Sequence, residues 1–309
     1  MKKRLTGVAL ALLTVMSIGA GCAPTEKPSQ TLTIGVLPDV DSIPIIIAQE
    51  KGLFEKEGVE VKIEHFKSAA DRESALQAGS IDGAVSDMLS AAFLTEGGFK
   101  VAMTSMTNGS YKLLAGPAMN GATDLTGKSI AISTNTIIEY ATDNMLAKMG
   151  LAPEDVEKTA IPQIPVRLEM LQSGQIDAAT LPEPLASVAV KAGAMVLDST
   201  DNLGINPGVL LFKTDVIASK NAEIAAFYHA YNRAVEYLKT TAVSDYADIL
   251  VDVAGFPADV KDSLTLPAYT PAALPSEADF DGVIAWLTDK ELIKQAYKYE
   301  DLVNKSFVK

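Results

Sequence analysis

"LQAGSIDGAVSD" at residues 76–87 and "LQSGQIDAATLPEP" at residues 171–184 are one phrase written twice, Leu-Gln-x-Gly-x-Ile-Asp-x-Ala. In each copy a helical stretch runs into a glycine, the chain reverses, and a short apolar strand comes next that ends in polar residues. Gly79 and Gly174 suit that reversal because a left-handed helix stop costs glycine little. Asp82 and Asp177 read as side chains that brace the turn with hydrogen bonds, not as catalytic acids. A repeated helix-to-strand corner predicts two consecutive α/β runs of similar build.

The residues on either side agree. "TLTIGVL" (31–37) is short, β-branched and followed by "PDVD", which is the pattern of a buried strand. Pro44 suits the first turn of the next helix, and Gly52 or Gly58 can end it. "VEVKIEHF" alternates like a second strand, and strand and helix then keep alternating through "KVAMTSM" and "YKLLAGP". The second run is expected after the turn-rich "AMNGATDLTG". "KSIAIS" starts it as a strand, and Ile138, Ala141, Met145 and Met149 recur at helical spacing in the helix after it. From about residue 221 the chain reads as mainly helical. This grammar predicts an α/β protein with a mainly parallel sheet in each run.

The amino end bears on location. Lys2, Lys3 and Arg4 precede an apolar stretch from Gly7 to Ile18, and "IGAGC" then brings small residues up to Cys22, the single cysteine of 309 residues. This is the pattern of an export signal over residues 1–21, too short for a membrane span. Gly-Ala-Gly-Cys is similar to the lipobox of bacterial lipoproteins, so Cys22 is expected to carry lipid and residues 22–30 to be a lipid-anchored tether. No later stretch is long and apolar enough to span a bilayer. The net charge is −13. It becomes more negative once the basic leader is removed, and that balance excludes nucleic acid as a partner.

"IPIIIAQEKGLFEKEGVEVKIEHF", "ALQAGSIDGAVSD", "DLTGKSIAIS" and "LQSGQIDAATLPEP", in this order, resemble the bacterial solute-binding lipoproteins of the nitrate, sulfonate, taurine and thiamine-precursor type. The resemblance implies a two-lobed periplasmic-binding-protein type II fold, with two strands crossing between lobes that close on a small molecule. It implies a monomer without cofactor that delivers its ligand to the permease and ATPase subunits of an ABC importer. Carried onto this chain, it puts residues 31–116 and 213–309 in lobe I and 117–212 in lobe II. The crossings would lie near Ala115 to Ala118 and near Leu211 to Lys213.

Ligands of open α/β sheets sit beyond the carboxyl ends of the strands. The expected site therefore comprises Pro38, Asp39, Asp41 and Ser42, then Ser86, Asp87 and Met88, then Ser133, Thr134, Asn135 and Thr136, and Glu183. Asp87 and Glu183 are expected to face one another across the ligand. "STNT" before a helix offers hydroxyls and free N–H groups to an oxyanion, and serves equally as an ordinary cap. Tyr111 and Tyr140 could stack on a ring or simply fill the core.

These loops hold four acids and no cation, which disfavours a small anion and favours a neutral or cationic heterocycle such as a thiamine-precursor pyrimidine. Arg167, at the start of a helix, is the nearby cation that could reverse this and admit a sulfonate, taurine or nitrate-type anion. Enzyme chemistry has little to stand on. His65 and His229 lack metal-ligand spacing, and neither a Gly-x-Ser-x-Gly nor a phosphate-loop motif occurs. The enzymes that resemble this family, thiamine-pyrimidine synthases and chorismate dehydratases, work inside cells, and the first carry a cysteine-rich motif absent here. A sensor or adhesion lipoprotein on the same fold is the remaining alternative.

Overall fold

The computed structural model describes residues 30–119, 121, 123–258, 264 and 266–308. The signal segment and Cys22 lie outside the described residues. Among the described residues ten strands, numbered in chain order, form two five-stranded sheets. The first contains β1 (Leu32–Val36), β2 (Val61–His65), β3 (Gly83–Asp87), β4 (Val101–Met106) and β10 (Gly208–Lys213), in the order β2-β1-β3-β10-β4. The second contains β5 (Tyr111–Ala115), β6 (Ser129–Ile132), β7 (Glu157–Ala160), β8 (Ala178–Pro182) and β9 (Met195–Ser199), in the order β7-β6-β8-β5-β9.

The two sheets have the same plan. Three strands run parallel, and the fourth position is taken by a strand antiparallel to both of its neighbours, β10 in one sheet and β5 in the other. Each inserted strand is the first strand after the chain passes from one sheet to the other. The chain therefore crosses after β4, over residues 107–110, and returns after β9, over 200–207. Both crossings precede the expected positions, and "YKLLA" and "GVLLFK" are ordinary paired strands of the sheet they enter. Sequence pattern alone cannot separate the two cases. An apolar run reads as a strand whichever sheet receives it, and the Pro and Gly beside these runs mark any loop.

The inner parallel strands β1, β3, β6 and β8 are covered on both faces and are mostly buried along their length, whereas the edge strands β2 and β7 are partly exposed. Leu32, Ile34 and Val36 are fully buried, as are Ile45, Ile46 and Ile47 of the helix Ile43–Glu50 that packs between the first sheet and the long helix Asn221–Thr240. Burial of each such side chain contributes on the order of 2 kcal/mol. The helix Glu277–Asp289 joins the two halves. Its Phe280, Val283 and Leu287 share a core with Met88 and Leu89 of the first half and with Ile130, Tyr140 and Leu146 of the second.

The repeated phrase forms the same corner in both halves. Gly79 (φ 74°) and Gly174 (φ 71°) are left-handed, and each aspartate binds the backbone N–H that opens a neighbouring strand or lies in it. Thr33 N–H donates to Asp82 (2.9 Å), and Ser129 N–H donates to Asp177 (3.0 Å). Both are turn braces, as the sequence suggests.

Candidate functional site

The carboxyl ends of β1 and β3 face those of β6 and β8 across a cavity of about 450 Å³ of empty space, part of it open to solvent. The halves meet at its margins. Val40 N–H donates to the Glu183 carbonyl (3.0 Å) and Ile164 N–H donates to the Lys67 carbonyl (3.1 Å). The first half contributes Leu37, Asp39, Arg72, Val85, Ser86 and Asp87 to the lining. The second contributes Tyr111, Ser133, Thr136, Ile137, Ile138, Ile164 and Arg167.

Arg72 and Arg167 dominate the electrostatics. Arg72, on the helix Ala69–Gln77, is held at every nitrogen. Its Nε donates to Glu73 Oε2 (3.0 Å), its Nη2 to Glu73 Oε1 (2.6 Å) and Ser86 Oγ (2.9 Å), and its Nη1 to the Val85 carbonyl (2.7 Å). Burial opposes its charge, but the Glu73 carboxylate, with Asp87 and Asp39 beyond, outweighs that and raises its pKa. Burial likewise opposes the Glu73 charge, and Arg72 overcomes it to hold Glu73 below its ordinary value.

Arg167, on the helix Ile164–Gln172, is fully buried and only half engaged. Its Nη1 donates to the Ile161 (2.8 Å) and Pro162 (3.1 Å) carbonyls, while Nε and Nη2 have no partner among the described residues. Burial alone pushes its pKa down to about 10. The Nε–Nη2 edge is the edge that binds a carboxylate side-on, and in Arg72 it is filled by Glu73. A buried guanidinium with that edge free costs several kcal/mol unless a partner arrives, and the partner that fits is an oxyanion with two oxygens in one plane.

The acids divide into three groups. Asp39 and Asp87 line the cavity. Asp39 Oδ1 accepts from Ser42 Oγ (2.9 Å), and burial, then the charge of Asp41, push its pKa well above the ordinary range. Asp87 Oδ1 caps the helix Met88–Glu96 through Ser90 N–H (2.8 Å), and Oδ2 lies 4.0 Å from Arg72; burial raises its pKa. Asp41 instead sits against the crossing segments, where Thr107 Oγ1 and Tyr111 OH donate to it and a Cβ at Gly109 would collide with it. Burial pushes its pKa to about 6 despite those bonds.

Glu183 points away from the cavity. It pairs with Lys112 and accepts from Ser187 N–H (3.1 Å), and it does not line this cavity opposite Asp87. The reason is local: the chain turns at Glu183 into the helix Leu185–Lys191, and the carboxylate serves that helix's first turn.

The other expected residues also separate. Ser86, Ser133 and Thr136 line the cavity; Ser42 and Met88 are buried behind it, and Pro38 is half-buried beside Asp39 without lining it. Exposed Thr134 and Asn135 belong to an adjoining cavity with Ala70, Glu73 and Phe93. Tyr111 lines the site, whereas Tyr140 is core and meets Trp286 edge-on.

Arg72 is the residue the strand-end rule missed, because it projects from a helix and not from a loop. A signal was present. Arg72 and Arg167 each lie four residues before the shared leucine, Leu76 or Leu171, so the repeated phrase includes the arginine. The argument for a heterocycle rested on loops without a cation, and two helical arginines in the same cavity remove that premise.

Two sheets of the same plan facing each other across a cavity are the architecture of the periplasmic binding proteins. The chain belongs to the NMT1-like family, whose model matches residues 25–251. A putative aliphatic sulfonates-binding protein of Bacillus subtilis is 25% identical over 272 residues, which are 82% of this chain and 79% of that protein. A putative ABC transporter periplasmic binding protein of Brachyspira hyodysenteriae is 24% identical over 252 residues, 74% of this chain and 72% of that protein. The alkanesulfonate-binding protein of Xanthomonas axonopodis bound to MOPS has the same fold, with TM-score 0.77 at 20% identity over 89% of this chain and 98% of that one. These relatives are named as binding proteins, and this chain is a solute-binding protein. No helix among the described residues is long and apolar enough to cross a membrane.

Proposed function

We propose that this protein captures a small oxyanion, of the sulfonate or carboxylate kind, between its two halves and hands it to the permease and ATPase subunits of an ABC importer. The observation that carries the reading is the unpartnered Nε–Nη2 edge of Arg167, fully buried at the cavity between the sheets. Ser133 and Thr136, before the helix Ile137–Lys148, add hydroxyls at the same wall. The relatives named for sulfonates support the same ligand class.

Binding closes the halves in this reading. An anion bound to Arg167 from the second half and touching Ser86 from the first stabilises the closed state by the difference in contacts between closed and open forms. The segments 107–110 and 200–207 are the hinge. Lipid on Cys22 tethers the protein to the outer face of the cell membrane, and it works there as a monomer.

The test is calorimetric titration of wild type and Arg167→Met with sulfonates, carboxylates and nitrate. Wild type should bind at least one of these classes and the variant should lose it. Undiminished binding by the variant would overturn the reading.

A further inference from the structure

Glu139 is buried in the first turn of the helix Ile137–Lys148, and its two carboxylate oxygens have different partners. Oε1 takes Lys290 Nζ (2.7 Å), just past the helix Glu277–Asp289, and Lys158 Nζ (3.3 Å) from β7. Oε2 accepts the Asn135 backbone N–H (2.7 Å). Burial opposes the Glu139 charge, and the Asn135 N–H and the two lysines outweigh it, so its pKa lies below the ordinary value. Asp143, one turn further along the helix, shares both cations: its Oδ2 lies 2.9 Å from Lys290 Nζ and accepts from Trp286 Nε1 (3.1 Å), and Lys158 pairs with its Oδ1. Among the described residues only Glu139, of these two acids, also bonds the loop 133–136.

That loop is part of the ligand wall. Ser133 and Thr136 line the cavity, and Asn135 between them has a left-handed backbone (φ 56°), which costs a residue with a side chain more than it costs glycine. Thr136 Oγ1 ties the ends of the loop by donating to the Ser133 carbonyl (2.7 Å), and it already caps the helix through Ile138 N–H (3.2 Å). The Glu139 bond therefore serves the middle of the loop and is more than a helix cap. The adjoining strand end carries the half-engaged cation: Ile161 N–H donates to the Ile132 carbonyl (2.8 Å), and the Ile161 carbonyl holds Arg167 Nη1.

We propose that Glu139 is a positioning residue for the ligand: through the Asn135 N–H it holds the loop 133–136, and so the wall beside Arg167, in the binding shape before the ligand arrives. The inference rests on the oxyanion reading of Arg167 and adds to it a residue that touches no ligand.

The test compares Glu139→Ala with Asp143→Ala, which removes a carboxylate from the same two lysines without touching the loop. The probe is whichever of ethanesulfonate, propanoate and nitrate binds wild type most tightly. Both variants should lose stability to urea. Affinity should fall roughly three- to tenfold in Glu139→Ala, because the ligand must then order the loop itself, and stay within about twofold in Asp143→Ala. Hydrogen exchange at the Asn135 amide should quicken in Glu139→Ala and not in Asp143→Ala. Asn135→Val, at an exposed position where folding is not at risk, resists the left-handed backbone and should weaken binding as well. Undiminished affinity in Glu139→Ala overturns the inference, as does an equal loss in Asp143→Ala or an unchanged Asn135 exchange rate. Should Glu139→Ala fail to fold, undiminished affinity in Asn135→Val overturns it. The oxyanion reading fails separately, if wild type binds none of the probes or Arg167→Met binds them equally well.

Discussion

Arg72 and Arg167 occupy the same place in two copies of one sequence phrase and differ in the residue that comes next. Glu73 succeeds the first and closes its Nε–Nη2 edge at 3.0 and 2.6 Å; Leu168 succeeds the second, packs into the core, and leaves that edge open. One duplicated helix thus supplies a neutralised cation on one wall and an unpaired one on the other.

Removal of the unpaired charge should stabilise the empty protein while it abolishes binding. For Arg167→Met, urea unfolding without ligand should show stability raised by roughly 1–2 kcal/mol, because a buried uncompensated charge is replaced by an apolar chain of similar length. Affinity for the best oxyanion probe should fall at least roughly 100-fold, the equivalent of two charge-assisted hydrogen bonds. Lower stability with unchanged affinity would make Arg167 a structural residue.

Glu73→Gln should act in the opposite sense. It strips Arg72 of its bidentate partner in a buried setting and should cost roughly 3 kcal/mol of stability. The freed guanidinium and the loss of one opposing charge should strengthen oxyanion binding. Chemical denaturation and calorimetry on the same preparation would show the two effects together.

Glu183 lies off the cavity, and Glu183→Gln should leave ligand affinity within about twofold. Its partner Lys112 is partly exposed to solvent, so the pair is screened and the stability loss should be about 1 kcal/mol. A tenfold loss of affinity in this variant would return Glu183 to the ligand.

Asp41 should make stability fall as pH rises. Its pKa is raised from 3.8 to about 6 in the folded chain, so between those values the native state holds the proton more tightly than the unfolded one. The penalty is absent below 3.8, grows through this window and is complete above about 6, where it reaches on the order of 3 kcal/mol. Asp41→Asn should flatten this part of the profile, measured as urea midpoints from pH 4 to pH 7. An unchanged slope would assign the effect to Asp39, which shares the site and shifts in the same direction.

The sequence by itself determined the alternation of strand and helix, the duplicated corner with its left-handed glycine and bracing aspartate, and the family. These arise from local physics, since apolar periodicity, a helix stop and an Asp at a turn are satisfied by neighbours in the chain. Only the tertiary structure decided which sheet receives "YKLLA" and "GVLLFK", because each is an equally good strand for either. It also decided the site. Asp39, Asp41, Asp87 and Glu183 are alike as letters at strand ends, and folding sends two to the cavity, one to the crossing segments and one to a lysine. The two arginines that line the cavity lie on helices, far apart along the chain, and became a pair only when the halves faced each other. Whether a buried guanidinium is satisfied depends on every group around it, and the sequence names just one of those groups, its immediate neighbour in the chain.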